Sequence, residues 1–211
     1  LDDTAGDMFY SANITGTTVS VWQTNFDAVT PTQSNGAKFE RTNGESDGLA
    51  NWGVSPIVVA GKAAIGLEQT RIVFNNADTN PNQISRADIN EDGTATTPIQ
   101  ITTSSTVKAN PSLAGNGGTI LYDDDNQKLI NKMNHDGSGV STIVTLGEGE
   151  TTLEQPNISS DGRWYVFVRE GDLKIRSILS AATDPDTSLV TGIGNAQNPC
   201  FNPDMTQIVY S

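Results

Sequence analysis

Three stretches of the chain carry one order of apolar and polar positions. They read NPSLAGNGGTILY at 110–122, QPNISSDGRWYVF at 155–167 and NPCFNPDMTQIVY at 198–210. Counting from each proline, an apolar residue follows two places on (Leu113, Ile158, Phe201) and a turn former five places on (Asn116, Asp161, Asp204). Apolar triplets then close each stretch: Ile120-Leu121-Tyr122, Tyr165-Val166-Phe167 and Ile208-Val209-Tyr210. This order predicts a short strand, a tight Asx-Gly turn and a second, longer strand. Met205 stands where the other copies have Gly117 and Gly162, so the third turn is expected to differ in type. Unbroken apolar triplets in the second strands predict burial on both faces.

A looser copy starts at Pro56, and its second strand is Ile72-Val73-Phe74. After each closing aromatic the pattern returns to strand, in QISRADINEDG (83–93), QKLINKMNHDG (127–137) and GDLKIRSI (171–178), with a fourth strand such as STIVTL (141–146) behind. The N-terminal GDMFYSANITGTTVSVW (6–22) matches the third and fourth strands of such a unit: Gly6-Asp7-Met8 parallels Gly171-Asp172-Leu173. The chain thus opens on the third strand of a unit and closes on the second strand of another. The expected architecture is one all-β domain over 1–211, a β-propeller of four-stranded antiparallel blades. Full blades are expected at 51–107, 108–150 and 154–195, with a split blade from 1–25 and 198–211 in which 205–210 pairs with 6–12. Closure of this kind removes free strand edges. Residues 26–50 fall outside the repeat as a polar insertion. Four blades result; a degenerate fifth within 26–50, or an eight-bladed ring from two chains, fits the same pattern.

The unit resembles the TolB-like propeller repeat, in which a proline, an Asp-Gly turn, an apolar strand and a "GDIY…DG" strand recur. Here those features are carried by Pro156, Asp161-Gly162, Tyr165-Val166-Phe167 and Gly171-Asp172-Leu173. The resemblance implies a propeller fold and a partner-binding role outside the cytoplasm, periplasmic or secreted. Relatives also include peptidase lids and lyases, and the protein that names the family carries an additional α/β domain.

Composition narrows the partners. With 25 acidic and 12 basic residues the formal charge is −13, which repels phosphate backbones and anionic lipid. No apolar run has the length of a membrane span. Twenty-five threonines and 20 glycines favour strands and turns. The lone Cys200 precludes an internal disulfide and aligns with Ser112 and Asn157 as a small strand residue.

Little in the sequence promises catalysis. The one histidine, His135, sits in a hairpin turn and is expected to be solvated. The first strands (SPIVVA, NPSLAG, QPNISS, NPCFNP) hold no Asp or Glu to oppose one another as glycosidase carboxylates do. The expected function is therefore non-catalytic binding of a protein partner, with a carbohydrate-binding or carbohydrate-active propeller as the alternative. The recognition surface is placed on the insertion, at Phe26, Lys38, Phe39 and Arg41, with Trp52 just beyond. Aromatic and Arg side chains on exposed loops supply binding hot spots. Asp88, Asn90, Asp92 and Thr94 alternate as calcium-loop ligands do, without the closing bidentate acid; an Asx turn is the competing reading, and no other cofactor is indicated. Asp123-Asp124-Asp125 reads as a solubilising hairpin tip, with cation capture as its lesser reading. Trp164 is expected to pack between blades.

Overall fold

A computed structural model describes residues 5–13, 19–27, 37–38, 70–76, 79–89, 96–115, 117–124, 128–192, 194–202 and 205–211. Strands, turns and loops make up these residues, with no helix among them. Two complete four-stranded antiparallel meanders stand at the centre. One is built from β7 (Lys108–Leu113), β8 (Thr119–Asp124), β9 (Leu129–Asn134) and β10 (Ser141–Thr145). The other comprises β11 (Leu153–Ile158), β12 (Trp164–Arg169), β13 (Asp172–Ser177) and β14 (Thr187–Val190). Upstream, β4 (Thr70–Asn76), β5 (Gln83–Ile89) and β6 (Ile99–Gln100) form three strands of a matching sheet. Downstream, β15 (Cys200–Phe201) and β16 (Ile208–Val209) form a hairpin.

The doubly buried second strands set the packing. In β8, Ile120 and Tyr122 face the upstream sheet with Val73, Ile84, Leu113 and Met133. Leu121 points the other way, into a cluster with Val144, Leu153, Tyr165 and Phe167. β12 repeats the device: Tyr165 and Phe167 face back, their rings stacked at 5.6 Å, while Val166 and Val168 face forward towards Phe201 and Ile208. The two-residue period of a strand, applied to an unbroken apolar run, thus places a core on each side of these two sheets.

The remaining strands are β1 (Ala5–Asn13), β2 (Val19–Asp27) and β3 (Ala37–Lys38), joined in the order β1-β2-β3 with Ala5 opposite Asp27 and Trp22 opposite Lys38. The stretch read from sequence as an insertion therefore supplies the end of β2 and all of β3. The expected pairing of 205–210 with 6–12 is not among the strand pairings: β16 bonds to β15 and β1 bonds to β2. Val209 and Tyr210, on the last hairpin, are 65% and 42% exposed.

Several expectations need correction. At the third turn Met205 keeps the left-handed backbone of the two glycines and the same closing bond. Met205 has φ 61°, beside 68° at Gly117 and 72° at Gly162, and its amide donates to Asn202 O at 3.0 Å as theirs donate to Ala114 O and Ser159 O. The Asn202 side chain accounts for this: its Oδ1 accepts the Gln207 backbone N–H at 2.8 Å and holds the turn shut. A methionine in the left-handed region costs about 1–2 kcal/mol. Met205→Gly is accordingly expected to raise stability by up to about 1 kcal/mol in urea denaturation, since glycine removes the strain but adds chain entropy. A loss of stability would show that the turn opens around the methionine.

Asp123-Asp124-Asp125 is not a solvated tip at its first two positions. Asp123 is 1% exposed within β8, and Asp124 pairs with the buried ammonium of Lys108. Strand alternation, rather than charge, decides their burial. Trp164, at the turn end of β12, is 47% exposed and not packed between sheets. His135 is half-buried, and that burial, with the charges of Arg71 and Arg86, holds its pKa below the usual value.

Candidate functional site

The residues before Pro111, Pro156 and Pro199 have a left-handed backbone: φ is 48° at Asn110, 56° at Gln155 and 50° at Asn198. Non-glycine residues rarely adopt this region, and a following proline disfavours helical backbone further. In β7 and β11 the strand register slips at these steps, between Ala109 and Ser112 and between Glu154 and Asn157. Such bulges turn side chains away from the ladder. The same kink in three successive sheets brings Asn110-Pro111-Ser112, Gln155-Pro156-Asn157 and Asn198-Pro199-Cys200 around one cavity of about 330 Å³.

Side chains lining this cavity also tie each sheet to the next. Ser112 Oγ accepts the Ile158 amide at 3.0 Å, and Asn157 Oδ1 accepts the Phe201 amide at 3.2 Å. These are the same two repeat positions, one sheet apart. Gln155 Oε1 accepts the Asn198 amide at 2.7 Å. At the corresponding step upstream, the Gln155 amide donates to Asp123 Oδ2 at 3.2 Å, and the Asn110 side-chain amide donates to the same oxygen. Asp123 Oδ1 is buried with no hydrogen-bond partner. Burial raises the Asp123 carboxyl well above the usual carboxylate range; the two donors pull it down, and the charge of Glu154 raises it further. Among the described residues the cavity lining holds no carboxylate.

The residues singled out from sequence are not gathered here. Phe26 lies in β2 opposite Gly6, and Lys38 lies in β3. Phe39, Arg41, Trp52, Asn90, Asp92 and Thr94 fall outside the described residues. Asp88 does lie within them, at the end of β5. Its carboxylate bonds Arg71 Nε at 2.6 Å and Nη2 at 3.1 Å, and pairs with Arg86 at 3.3 Å. These guanidinium partners, through hydrogen bonds and charge, hold Asp88 below the usual range although burial opposes them. Among the described residues no group of three His, Cys, Asp or Glu side chains is placed to share a metal ion. The cavity was visible in the sequence only as its three x-Pro-x triplets. Cys200, aligned there with Ser112 and Asn157, proves to be exposed and part of the lining.

Meandering sheets with cores on both faces, set side by side along the chain, define a β-propeller, and comparison with solved structures shows this fold to be TolB-like. The chain is similar to TolB from Acinetobacter baumannii, with TM-score 0.65 and 13% identity over 97% of this chain and 46% of that one. It is likewise similar to a chain of the nidogen–laminin complex, with TM-score 0.63 and 11% identity over 98% of this chain and 69% of that one. A third likeness is to puromycin hydrolase, with TM-score 0.59 and 13% identity over 99% of this chain and 34% of that one. The chain therefore spans less than half of the TolB and hydrolase chains. No protein-family profile matches the sequence. No curated protein matches it either.

Proposed function

We propose that the chain is an extracytoplasmic binding module, periplasmic or secreted, that holds a protein partner at the cavity between Asn110, Gln155 and Asn198. One observation carries this reading: three successive repeats spend backbone strain at the same step to open one shared cavity. Strain of this kind, about 1–3 kcal/mol per residue, persists where surrounding structure enforces it and clusters at binding and active sites. Polar amide groups around a preformed concavity suit recognition. The nidogen–laminin complex supplies a precedent for partner binding on this fold. The surface of 26–50 with Phe26, Lys38, Phe39, Arg41 and Trp52 belongs to the same reading as a second contact region. So does closure of the ring, with β1 covering the exposed edge of β16.

Cys200 makes the test direct, because it is the only cysteine in the chain and is exposed at the cavity. Alkylation with a bulky maleimide is expected to abolish retention of a cross-linked protein partner by the full chain, while thermal unfolding stays unchanged. Replacing 30–48 with a Gly-Ser linker measures the second region separately. Retention of the same partner by the alkylated chain would overturn the cavity as the binding site.

A further inference from the structure

The hydrogen bonds between sheets fix which way two cavity amides point. A backbone N–H can bond only to an acceptor, so the atom of Gln155 facing Asn198 N is Oε1, and that of Asn157 facing Phe201 N is Oδ1. The –NH₂ ends, Gln155 Nε2 and Asn157 Nδ2, are turned away from those bonds. Neither donates to any protein group among the described residues, and neither is among the buried polar atoms lacking a partner. Both residues line the cavity and are partly exposed. Four N–H donors, two from each amide, are therefore held in place by the acceptor half of the same side chain.

A donor-lined wall asks for acceptors, and the surrounding charge decides which. The chain carries −13 overall, Glu154 lies beside Gln155 in sequence, and Asp123 stands behind the lining as the acceptor of the Gln155 amide. A carboxylate, phosphate or sulfate would meet repulsion on entry, whereas a neutral carbonyl would not. Three prolines, Pro111, Pro156 and Pro199, supply apolar faces between the amides, and among the described residues the lining holds no aromatic ring. A peptide main chain offers what this wall lacks: neutral carbonyl oxygens at regular intervals with apolar surface between them.

We propose that the cavity takes an extended, uncharged stretch of polypeptide whose main-chain carbonyls accept from Gln155 Nε2 and Asn157 Nδ2. This rests on the protein-binding reading and adds the chemistry of the bound segment. Gln155 and Asn157 then have two roles at once, since the oxygen of each joins two sheets and its nitrogen meets the ligand.

The two roles separate under isosteric exchange. Gln155→Glu and Asn157→Asp keep the acceptor that the neighbouring sheet needs and replace the donor with a second acceptor. An array of acetylated, amidated decapeptides without charged residues, probed with the full chain, is expected to yield binders. Each exchange should weaken them by about tenfold or more while thermal unfolding shifts little. Replacing one ester for one amide along the best binder, which weakens one carbonyl acceptor at a time, should locate two sensitive positions. Undiminished binding by both variants would overturn the proposal, as would binders found only on a glycan array. An array on which the parent chain finds no peptide binder, with protein capture still blocked by Cys200 alkylation, would sink this inference and leave the binding module standing.

Discussion

Gly137→Ala is expected to lower the unfolding free energy by at least about 3 kcal/mol, combining backbone strain with overpacking against a fixed neighbour. Gly137 ends the turn after β9, with φ 86° and its amide bonded to Asn134 O at 2.9 Å. A methyl group there would lie 2.3 Å from Ile101 O and 3.3 Å from Ile101 Cβ. Ile101 directly follows β6 of the upstream sheet and is held in place there. Its amide is bonded to Ile84 O at 2.9 Å, and its side chain packs against the cluster of Val73, Leu113 and Tyr122. Gly149→Ala provides the control. Its φ is 82°, but a methyl group meets nothing within 4 Å, so only the left-handed backbone is penalised, by about 1–2 kcal/mol. Urea denaturation of both variants measures the difference. Equal losses would show that Ile101 does not press on this turn.

The second large effect is expected at Asp123. Asp123→Leu removes the carboxylate that accepts from the Asn110 side-chain amide and the part-buried Gln155 N–H, a loss of about 2–4 kcal/mol. Asp123→Asn keeps an acceptor and removes only the titration, which makes the pH dependence diagnostic. The unfolded carboxyl titrates near 3.8, and the folded one well above it. Between those two values the unfolded chain has released a proton that the folded chain retains, so this group's contribution to stability falls as pH rises. Carboxylates such as Asp88 act in the opposite sense, since partners lower their pKa and they stabilise as they ionise. The comparison must therefore be between parent and Asp123→Asn at each pH. Relative to the parent, the Asn variant should gain stability from pH 4 towards neutrality. A constant difference across that range would mean that Asp123 is ionised in the folded chain at pH 4.

The fold was readable because the propeller repeat writes its constraints locally. Proline, turn former and closing aromatic sit at fixed spacing, and an apolar run in a short strand has no folding solution except burial on both sides. What misled were residues whose environment is set from elsewhere in the chain. Asp123 reads as surface until strand alternation and the approach of Gln155 from the next sheet are known. Met205 adopts a left-handed backbone that local preference disfavours, because the Gln207 N–H bonded to Asn202 Oδ1 closes the turn around it. Trp164 is large and apolar, but it stands one residue beyond the buried run of β12. The cavity was hidden for a related reason. Its triplets look like packing residues one at a time, and their chemistry appears only when Asn198 and Phe201 orient the amides of the preceding repeat.

The bonds that join neighbouring sheets share a direction in time. Asp123, Ser112, Gln155 and Asn157 offer acceptors, while the donors that satisfy them, at Gln155, Ile158, Asn198 and Phe201, always come later in the chain. A ribosome therefore releases each docking surface before the strand that will dock on it. Every new repeat meets a template already shaped by its predecessor, so folding can proceed vectorially during synthesis, one sheet at a time, without any acceptor having to wait for the whole chain.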